Sequence, residues 1–448
     1  MSQNFMVCDR EQELLLPPSL REWLPEDHLA WFVLDAVEQV DLSIVYDAYR
    51  VDGWGRAAFD PQMMVALLLY AYAVGERSSR GIERRLREDV AFRVIAANQV
   101  PDHATIARFR VRHEQALSEM FTRILALCAK AGLVSVGLVA LDGTRICANA
   151  AQSANRTHEG LREEVERILA EAGQVDAEED ERFGQKRGDE LPAGLADRRS
   201  RLERLRRCRQ ELEAEQAQVQ AAYEENLRWR AKWEAEHDRK LGGRRPTPPD
   251  PDAISKRKIN TTDPDSRVLP RAGKEALQGY NAQAVACTGQ IVLAAEIAEQ
   301  TNDYGQLEPM IAQTNQSLAA AGINEPLRVV LADAGYWSSP QIAALKDSGI
   351  EAIVPTKATK RSTPRKKAPR QGPEAQRIEE LLSTPDGAAL YRKRQQIIEP
   401  IFANTKFLRR IDRFQRRGLQ ACRAEWRLIA ATHNLLKLWR ATRPAIAA

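Results

Sequence analysis

The sequence lacks several features that define whole classes of protein. Its six cysteines are widely scattered and form no CxxC pair, which argues against a zinc ribbon. Its six histidines are equally dispersed, and aromatic residues make up only 6% of the chain. We therefore expect carboxylates to hold any catalytic metal, an arrangement that suits magnesium or manganese.

Long hydrophobic runs are also missing. The longest one, Met63 to Val74, has twelve residues, which is too short to span a bilayer and typical of a buried helix. The first ten residues show no basic region followed by an apolar run, so they do not resemble a signal peptide. These absences predict a cytoplasmic protein with no membrane partner.

Charge is abundant and unevenly distributed. Of the 448 residues, 29% are charged and 44% are apolar, and this length suggests about two to four domains. From Thr356 to the end there are 22 Lys and Arg against 7 Asp and Glu, a net charge of +15, while the rest of the chain is acidic. This asymmetry favours a polyanionic partner, and the alternative is a solvated basic tail.

Residues 1–130 have the pattern of a helical domain. Asp60-Pro61 marks a helix start, Ser78 or Ser79 is a candidate cap for a second helix, and Pro101 to Thr105 opens a third. Short helices carrying many arginines resemble a helix-turn-helix DNA reader, and the alternative is an ordinary bundle with solvated arginines. The candidate DNA contacts in this domain are Arg80, Arg84, Arg108 and Arg110.

Residues 155–260 differ in kind from their surroundings. Between Glu159 and Lys240 there are 22 acidic and 17 basic residues, and Leu205, Leu212 and Val219 recur every seven residues. This spacing predicts a helical hairpin or coiled-coil arm, although Arg209 and Gln216 make the register imperfect. We interpret the segment as an insertion, with a linker, that splits one domain into residues 131–154 and 261–440.

The split domain has an alternating strand and helix pattern. Val136 to Asp142 and Leu327 to Asp333 are apolar runs that end in an acid, which is typical of buried central strands. Two runs at 281–287 and 290–297, separated by Thr288-Gly289, predict a hairpin. The order predicts an α/β fold with a mixed sheet, followed by helix from Glu374 onward.

Three acids lie where a sheet-based nuclease would need them. Asp142 and Asp333 end strands, and Glu399 lies on a segment that could pack across the sheet edge. Carboxylates that converge in this way can hold two divalent cations about 3.5–4 Å apart. A single acid at a strand end more often begins a turn, so the prediction depends on the ordered combination of all three.

The residues around these acids resemble motifs of a known family. LDGTRICANA (Leu141 to Ala150), LADAGYWS (Leu331 to Ser338) and YRKRQQIIEPIFANTK (Tyr391 to Lys406) look like the three acid-bearing motifs of DDE transposases from bacterial insertion sequences. Three further strings also resemble that family: GERSSRGIERRL (Gly75 to Leu86), PDHATIARFR (Pro101 to Arg110) and QGYNAQAVA (Gln278 to Ala286). The resemblance spans residues 15–440 except for the arm.

The resemblance implies a fold, an activity and a set of partners. It implies an RNase H-like catalytic domain with Asp142, Asp333 and Glu399 as catalytic and metal-holding residues, and Mg²⁺ as cofactor, with Mn²⁺ able to substitute. The expected partners are double-stranded DNA, at both terminal inverted repeats and target sites, and a second copy of the chain, giving a dimer on DNA in the nucleoid. The alternatives are a DNA-binding relic that no longer cuts and a nuclease without strand transfer.

The block around Glu399 departs from the family pattern in one place. Tyr391, Arg394 and Lys406 match, but Glu399 lies five residues after Arg394 instead of four. The position four residues before Glu399, where the family pattern has an arginine, is occupied by Gln395. Pro400 disfavours helical backbone at Glu399, which predicts that the helix kinks or restarts there. If the segment is helical, Arg392, Glu399 and Lys406 share one face, and the two bases are predicted to contact DNA phosphates together with Tyr391 and Arg394.

Three further residues near the motifs have open interpretations. Tyr336 and Trp337 follow Asp333 and either pack at the sheet edge or stack on an unpaired base. Asp303 is expected first as a turn residue or helix cap, and second as a helper at the metal site.

Overall fold

The fold is described from a computed structural model of the full chain. The structure describes residues 19–49, 57–167, 193–240, 245–250, 257–271, 273–356 and 372–443. In these ranges no helix combines the length and apolarity needed to cross a membrane. The basic segment at 357–371 lies outside the described residues. Contacts divide the chain into two compact units: Met1–Ile146 with Asn281–Gln415 and Gln420–Ala448, and Cys147–Tyr280 with Arg416–Leu419.

The first unit begins with helices whose starts follow from local sequence signals. Asp60 caps the helix that begins at Pro61 by accepting from the Gln62 N–H at 2.9 Å, and Ser78 accepts from the Gly81 N–H at 3.3 Å. Both predicted caps are confirmed, as is the third helix, which Asp102 caps. The helices are α1 (Leu29–Glu38), α2 (Ser43–Tyr46), α3 (Pro61–Ala73), α4 (Ser79–Glu88), α5 (Val90–Ile95), α6 (His103–Arg112) and α7 (Glu114–Lys130).

A mixed sheet forms the centre of this unit, as predicted. Its strands are β1 (Leu138–Cys147), β5 (Lys274–Cys287), β6 (Val292–Ala298), β7 (Val329–Ala332) and β8 (Glu351–Ile353). They lie in the order β6-β5-β1-β7-β8. β1, β7 and β8 run parallel, whereas β5 and β6 form the predicted antiparallel hairpin. This mixed sheet with its helices is consistent with an RNase H-like fold.

Helices cover the sheet because its central strands are apolar on both faces. Val139, Ala140 and Leu141 of β1 and Val330, Leu331 and Ala332 of β7 are fully buried, the pattern expected of parallel strands with both faces covered. The helices are α10 (Leu307–Ala320), α11 (Ser339–Asp347), α12 (Pro373–Ser383), α13 (Pro385–Ala403) and α14 (Leu419–Thr442).

Buried charges link the amino-terminal helices to α14 within this unit. Arg77, between α3 and α4, pairs with Glu425 at 2.9 Å, and both side chains are almost completely buried. Arg409 is also buried and donates to the carbonyls of Tyr72 and Ile429. Burial lowers the pKa of Arg409 to about 9, and the nearby Arg77 charge acts in the same direction.

The second unit contains the predicted insertion. Its elements are β2 (Asn155–Thr157), a helix α8 over 158–167, α9 (Ala193–His237), β3 (Lys258–Asn260) and β4 (Arg267–Arg271), with β2 antiparallel to β3. Leu205 and Leu212 of α9 are buried in one cluster with Leu161, Val165 and Ile259. Val219, the next residue of the heptad series, is 43% exposed. The long helix is confirmed, whereas the coiled coil stays a prediction, and so do the domain boundaries.

Candidate active site at the carboxyl end of the sheet

The structure brings Asp142 and Asp333 together at one edge of the sheet. β1 and β7 are parallel neighbours, and the last pair in their register is Leu141 with Ala332. Asp142 and Asp333 each follow directly after this pair. Because both strands run in the same direction, Asp333, which follows the end of β7, lies beside Asp142 of β1. The predicted convergence of these two acids is therefore present in the fold. The expectation that Asp142 ends its strand is wrong, because β1 continues to Cys147.

Both acids accept from nearby backbone N–H groups, Asp142 within β1 and Asp333 in the turn that follows β7. The Gly143 N–H donates to Asp142 Oδ1 at 2.8 Å. The Gly335 N–H donates to Asp333 Oδ1 at 2.6 Å, so Asp333 caps the short 3₁₀ helix Ala334–Tyr336. Tyr336 and Trp337 are 0% and 7% exposed, which confirms the expectation that they pack against the protein.

Helix α13 carries the Glu399 block across β7. The Tyr391 hydroxyl donates to the carbonyl of Ala332, the residue before Asp333, at 3.3 Å. One turn along, Arg394 Nη1 donates to Asp142 Oδ2 at 2.8 Å, and its Nη2 lies 3.7 Å from Glu399 Oε1. Arg394 thus links two of the three predicted catalytic acids, although one extra residue separates it from Glu399. Glu399 itself remains 54% exposed.

The helix does not restart at Pro400. α13 runs from Pro385 to Ala403 with Pro400 inside it, and a π-helical turn, Asn404–Leu408, follows. Pro400 has no N–H to donate to the Gln396 carbonyl, but Gln290 Nε2 donates to that carbonyl at 2.9 Å. A side chain from the β5–β6 turn therefore replaces the missing helical hydrogen bond, and Glu399 stays on a continuous helix.

Two amide residues that were not predicted as part of the site, Asn281 and Gln283, lie against these acids together with Asp303, whose second expected role was there. Asn281 and Gln283 alternate along β5 and therefore face the same side of the sheet. Their amides donate to Oδ1 of Asp303 at 3.0 and 2.8 Å. Asp303 begins a turn, since the Gln306 N–H donates to its carbonyl at 3.2 Å, as expected of a turn residue, but its side chain does not cap α10. The sequence signal for this part of the site was two amide residues, two positions apart, in an otherwise apolar strand.

Burial makes this end of the sheet unfavourable for negative charge. Burial raises the pKa of Asp142 to about 6, against the opposing effect of Arg394 and with a contribution from Asp333. Burial also raises the pKa of the Asp333 carboxyl, although the Gly335 N–H favours its charged form. The tyrosine hydroxyls of Tyr336 and Tyr391 have raised pKa values for the same reason. The carboxylates therefore lack enough positive charge to compensate for their burial.

Over the described ranges, no group of three or more Asp, Glu, His or Cys side chains stands close enough to hold a metal ion in its present arrangement. Arg394 bonds to Asp142, and Glu399 projects toward solvent. The donors at this edge are nonetheless oxygens, which is the ligand chemistry of Mg²⁺ and Mn²⁺.

The other predicted DNA contacts lie in different environments. Arg80, Arg84, Arg108 and Arg392 have exposed side chains, whereas Lys406 is half-buried in the π-helical turn. Arg110 is also half-buried and donates to the Arg77 carbonyl at 2.7 Å and to the Ser79 hydroxyl. The DNA-contact role of all these residues stays a prediction.

Comparison with protein families gives two matches. Residues 18–112 match the model of a transposase domain described as DUF772, and residues 257–435 match the model of the transposase DDE domain. No significant match was found among curated proteins or among solved structures. The second match includes Asp333, Tyr391, Arg394 and Glu399, whereas Asp142 lies before it.

Proposed function

The chain is a DDE transposase of an insertion sequence, and we propose that it binds the terminal inverted repeats of its element and catalyses DNA cleavage and strand transfer. The observation that carries this proposal is the pairing of β1 with β7, which sets Asp142 and Asp333 side by side. Arg394 then links Asp142 to Glu399 on α13. These three acids are the proposed catalytic residues.

The residues present fit a divalent cation by charge and by donor type. Asp142 and Asp333 are half-buried carboxylates with raised pKa values, so a cation beside them would relieve an unfavourable arrangement. Asp142, Asp333 and Glu399 would hold Mg²⁺, or Mn²⁺ in its place. When bound, such ions supply Lewis acidity that polarises the phosphate and lowers the pKa of water.

The chain's own residues would orient the two phosphoryl transfers. In cleavage, a water oxygen bonds to phosphorus at the element end and the bond to the 3′ oxygen breaks, which leaves a 3′ hydroxyl. In joining, that hydroxyl oxygen bonds to a phosphorus in target DNA and the target strand's own 3′ oxygen leaves. Tyr391 fixes α13 to the end of β7. Arg394 would neutralise phosphate oxygens when the three acids bind the metal.

Contacts with the DNA backbone are proposed for arginines that project from the surface. Arg80 and Arg84 lie one turn apart on α4, and Arg108 lies on α6. α6 docks next to α4, since the Glu83 carboxylate accepts from the His103 N–H at 3.0 Å. Phosphate contacts of this kind position a protein on the duplex without reading its sequence. Arg392 and Lys406 would contact phosphates close to Glu399.

The arm is proposed to hold two copies of the chain together on paired element ends. On α9, Val219, Leu227 and Trp229 are 43%, 39% and 56% exposed, and apolar side chains of this size favour a partner surface. A second α9 could form the predicted coiled coil with them. Deleting the arm should reduce the yield of paired-end complexes, and a full yield without the arm would refute its role.

The function is tested by an end-cleavage and joining assay with Mg²⁺ and a duplex that carries the element's terminal repeat. Asp142→Asn, Asp333→Asn and Glu399→Gln should each lower the cleavage rate by about a thousandfold or more, because several kcal/mol of transition-state stabilisation is lost. Each variant should still bind the duplex. Asp386→Asn, which changes an exposed acid on the same helix as Glu399, is the control and should cleave normally.

The assay also separates the alternatives. A nuclease would cleave without joining, and a DNA-binding relic would bind without cleaving. Normal cleavage by Glu399→Gln would remove Glu399 from the catalytic set.

A further inference from the structure

A fourth carboxylate lies beside the proposed catalytic acids. Asp303 belongs to the connection between β6 and α10, outside the three acid-bearing motifs. We propose that Asp303 is a cation-holding residue of the catalytic centre, with one carboxylate oxygen fixed by Asn281 and Gln283 and the other directed to the cation. This inference rests on the proposed function and adds a residue to its site.

One oxygen of Asp303 is held by buried amides. Asn281 Nδ2 and Gln283 Nε2 both donate to Oδ1, at 3.0 and 2.8 Å, and the two residues are 5% and 0% exposed. In the described part of the chain, no donor contacts the other oxygen, Oδ2. Two fixed bonds to one oxygen set the orientation of the carboxylate and leave the second oxygen able to bind a ligand.

The amides are themselves fixed by a chain of hydrogen bonds. The Tyr336 hydroxyl donates to Gln283 Oε1, and Gln283 Nε2 also donates to Asn281 Oδ1 at 3.0 Å. Tyr336 lies three residues after Asp333 in the same motif. Buried polar side chains are costly unless they are fully bonded, and bonded networks of this kind hold one geometry. The network therefore ties Asp303 to the turn that carries Asp333.

Two glycines show how closely Asp303 approaches the other acids. A Cβ on Gly143, next to Asp142, would lie 2.7 Å from Asp303 Oδ1 and 2.5 Å from Gln283 Nε2. A Cβ on Gly335, two residues after Asp333, would lie 2.8 Å from Asp333 Oδ1 and 3.3 Å from Asp303 Oδ2. Asp303 thus lies close to Gly143 of β1 and to the turn that carries Asp333, and its second oxygen is on the side of that turn.

The neighbouring carboxylates of Asp303 and Asp333 both carry negative charge, which a bound cation would compensate. Carboxylates at this separation repel each other in a partly buried environment, and the Asp303 charge adds to the burial that raises the pKa of Asp333. Arg394 donates to Asp142, and no described base bonds to Asp303. A divalent cation between Asp303 and Asp333 would supply the missing charge.

The test is Mn²⁺ binding to the full chain without DNA, measured by electron paramagnetic resonance of the free ion. Asp303→Asn is the sharpest variant, because its side-chain oxygen can still accept from Asn281 and Gln283 while the free oxygen becomes an amide. We expect the Kd for Mn²⁺ to rise by about tenfold or more, since loss of a metal-supporting residue typically costs 10–100-fold in affinity. Glu308→Gln, an exposed acid at the start of α10, is the matched control.

Asp142→Asn, measured in parallel, separates the two proposals. If Asp142→Asn weakens Mn²⁺ binding and Asp303→Asn does not, the inference about Asp303 is wrong and the proposed site stands. If neither variant changes binding, the proposed metal site fails as well. If Asp303→Asn does not unfold cooperatively, Asp303→Ser removes the carboxylate with a smaller side chain, and unchanged Mn²⁺ affinity in that variant would also overturn the inference.

Discussion

Charges at the carboxyl end of the sheet and charges on helices α4 and α6 are arranged in opposite ways. At the sheet end, Asp142, Arg394 and Asp303 are half-buried and bonded to other polar side chains. On the helices, Arg80, Arg84 and Arg108 project into solvent, and the Arg84 pair with Glu88 is 3.8 Å long and exposed. Substitutions of residues that bond to one another have coupled, non-additive effects on stability, whereas substitutions of separated surface residues have nearly independent effects. Substitutions should therefore have large effects in the first region and small ones in the second.

The largest effect is expected at Arg77, which precedes α4 and has a buried side chain. Glu425→Ala would leave the Arg77 guanidinium buried without its carboxylate, so we expect a loss of about 3–5 kcal/mol in unfolding free energy. Urea denaturation measures this loss. A double change of Arg77 and Glu425 to leucine should cost less than the single change. A loss under 1 kcal/mol for Glu425→Ala would show that the pair is not coupled.

Asp142→Asn tests whether the sheet end is strained by its own charge. The pKa of Asp142 is about 6 against an ordinary 3.8, so the folded state binds a proton that the unfolded state has released between those pH values. The stability that Asp142 contributes is therefore complete below about pH 4 and is lost as pH rises through 6. Without metal, Asp142→Asn should gain about 3 kcal/mol in stability at pH 7.5.

The gain from Asp142→Asn should shrink as the pH is lowered from 6 toward 4. Chemical denaturation at pH 7.5 and 4.5, with chelator present, measures it. An equal effect at both pH values would contradict the account, because a buried charge is its cause.

The smallest effect is expected on the helix surface. Arg84→Ala should leave stability nearly unchanged and lower the slope of log affinity for DNA against log salt by about one, as for a single phosphate contact. Arg110→Ala is the matched change, because Arg110 donates to the Arg77 carbonyl. It should cost about 1–3 kcal/mol in stability. If Arg110→Ala instead changes only the salt slope, the division between inward and outward arginines is wrong.

The sequence predicted those parts of the fold that local patterns determine. The apolar runs before Asp142 and Asp333 became parts of β1 and β7 because buried parallel strands need apolar residues on both faces, although β1 continues past Asp142 to Cys147. Asp60 and Ser78 became caps because their side chains bond to backbone N–H groups two or three residues away. Such signals require no knowledge of the rest of the chain.

The parts that were missed depend on residues distant in sequence. The local rule for Pro400 predicted a kink or a restart, but the helix does not restart, and Gln290 satisfies the carbonyl that the proline leaves free. Arg394 bonds to Asp142 from 252 positions away, and no spacing rule predicts that contact. Asn281 and Gln283 were part of a recognised motif, but their common partner, Asp303, appears only when β5 and the connection after β6 are folded together.

The central claim is that Asp142, Asp333 and Glu399 form one metal centre for cutting DNA. The most direct measurement is a crystal structure of the full chain with a terminal-repeat duplex and Mn²⁺, in which anomalous scattering locates the ion. We predict Mn²⁺ at coordination distance from Asp142, Asp333 and Glu399, with Arg394 moved from Asp142 to a phosphate. Manganese bound elsewhere, or Glu399 still in solvent with the duplex in place, would contradict the account.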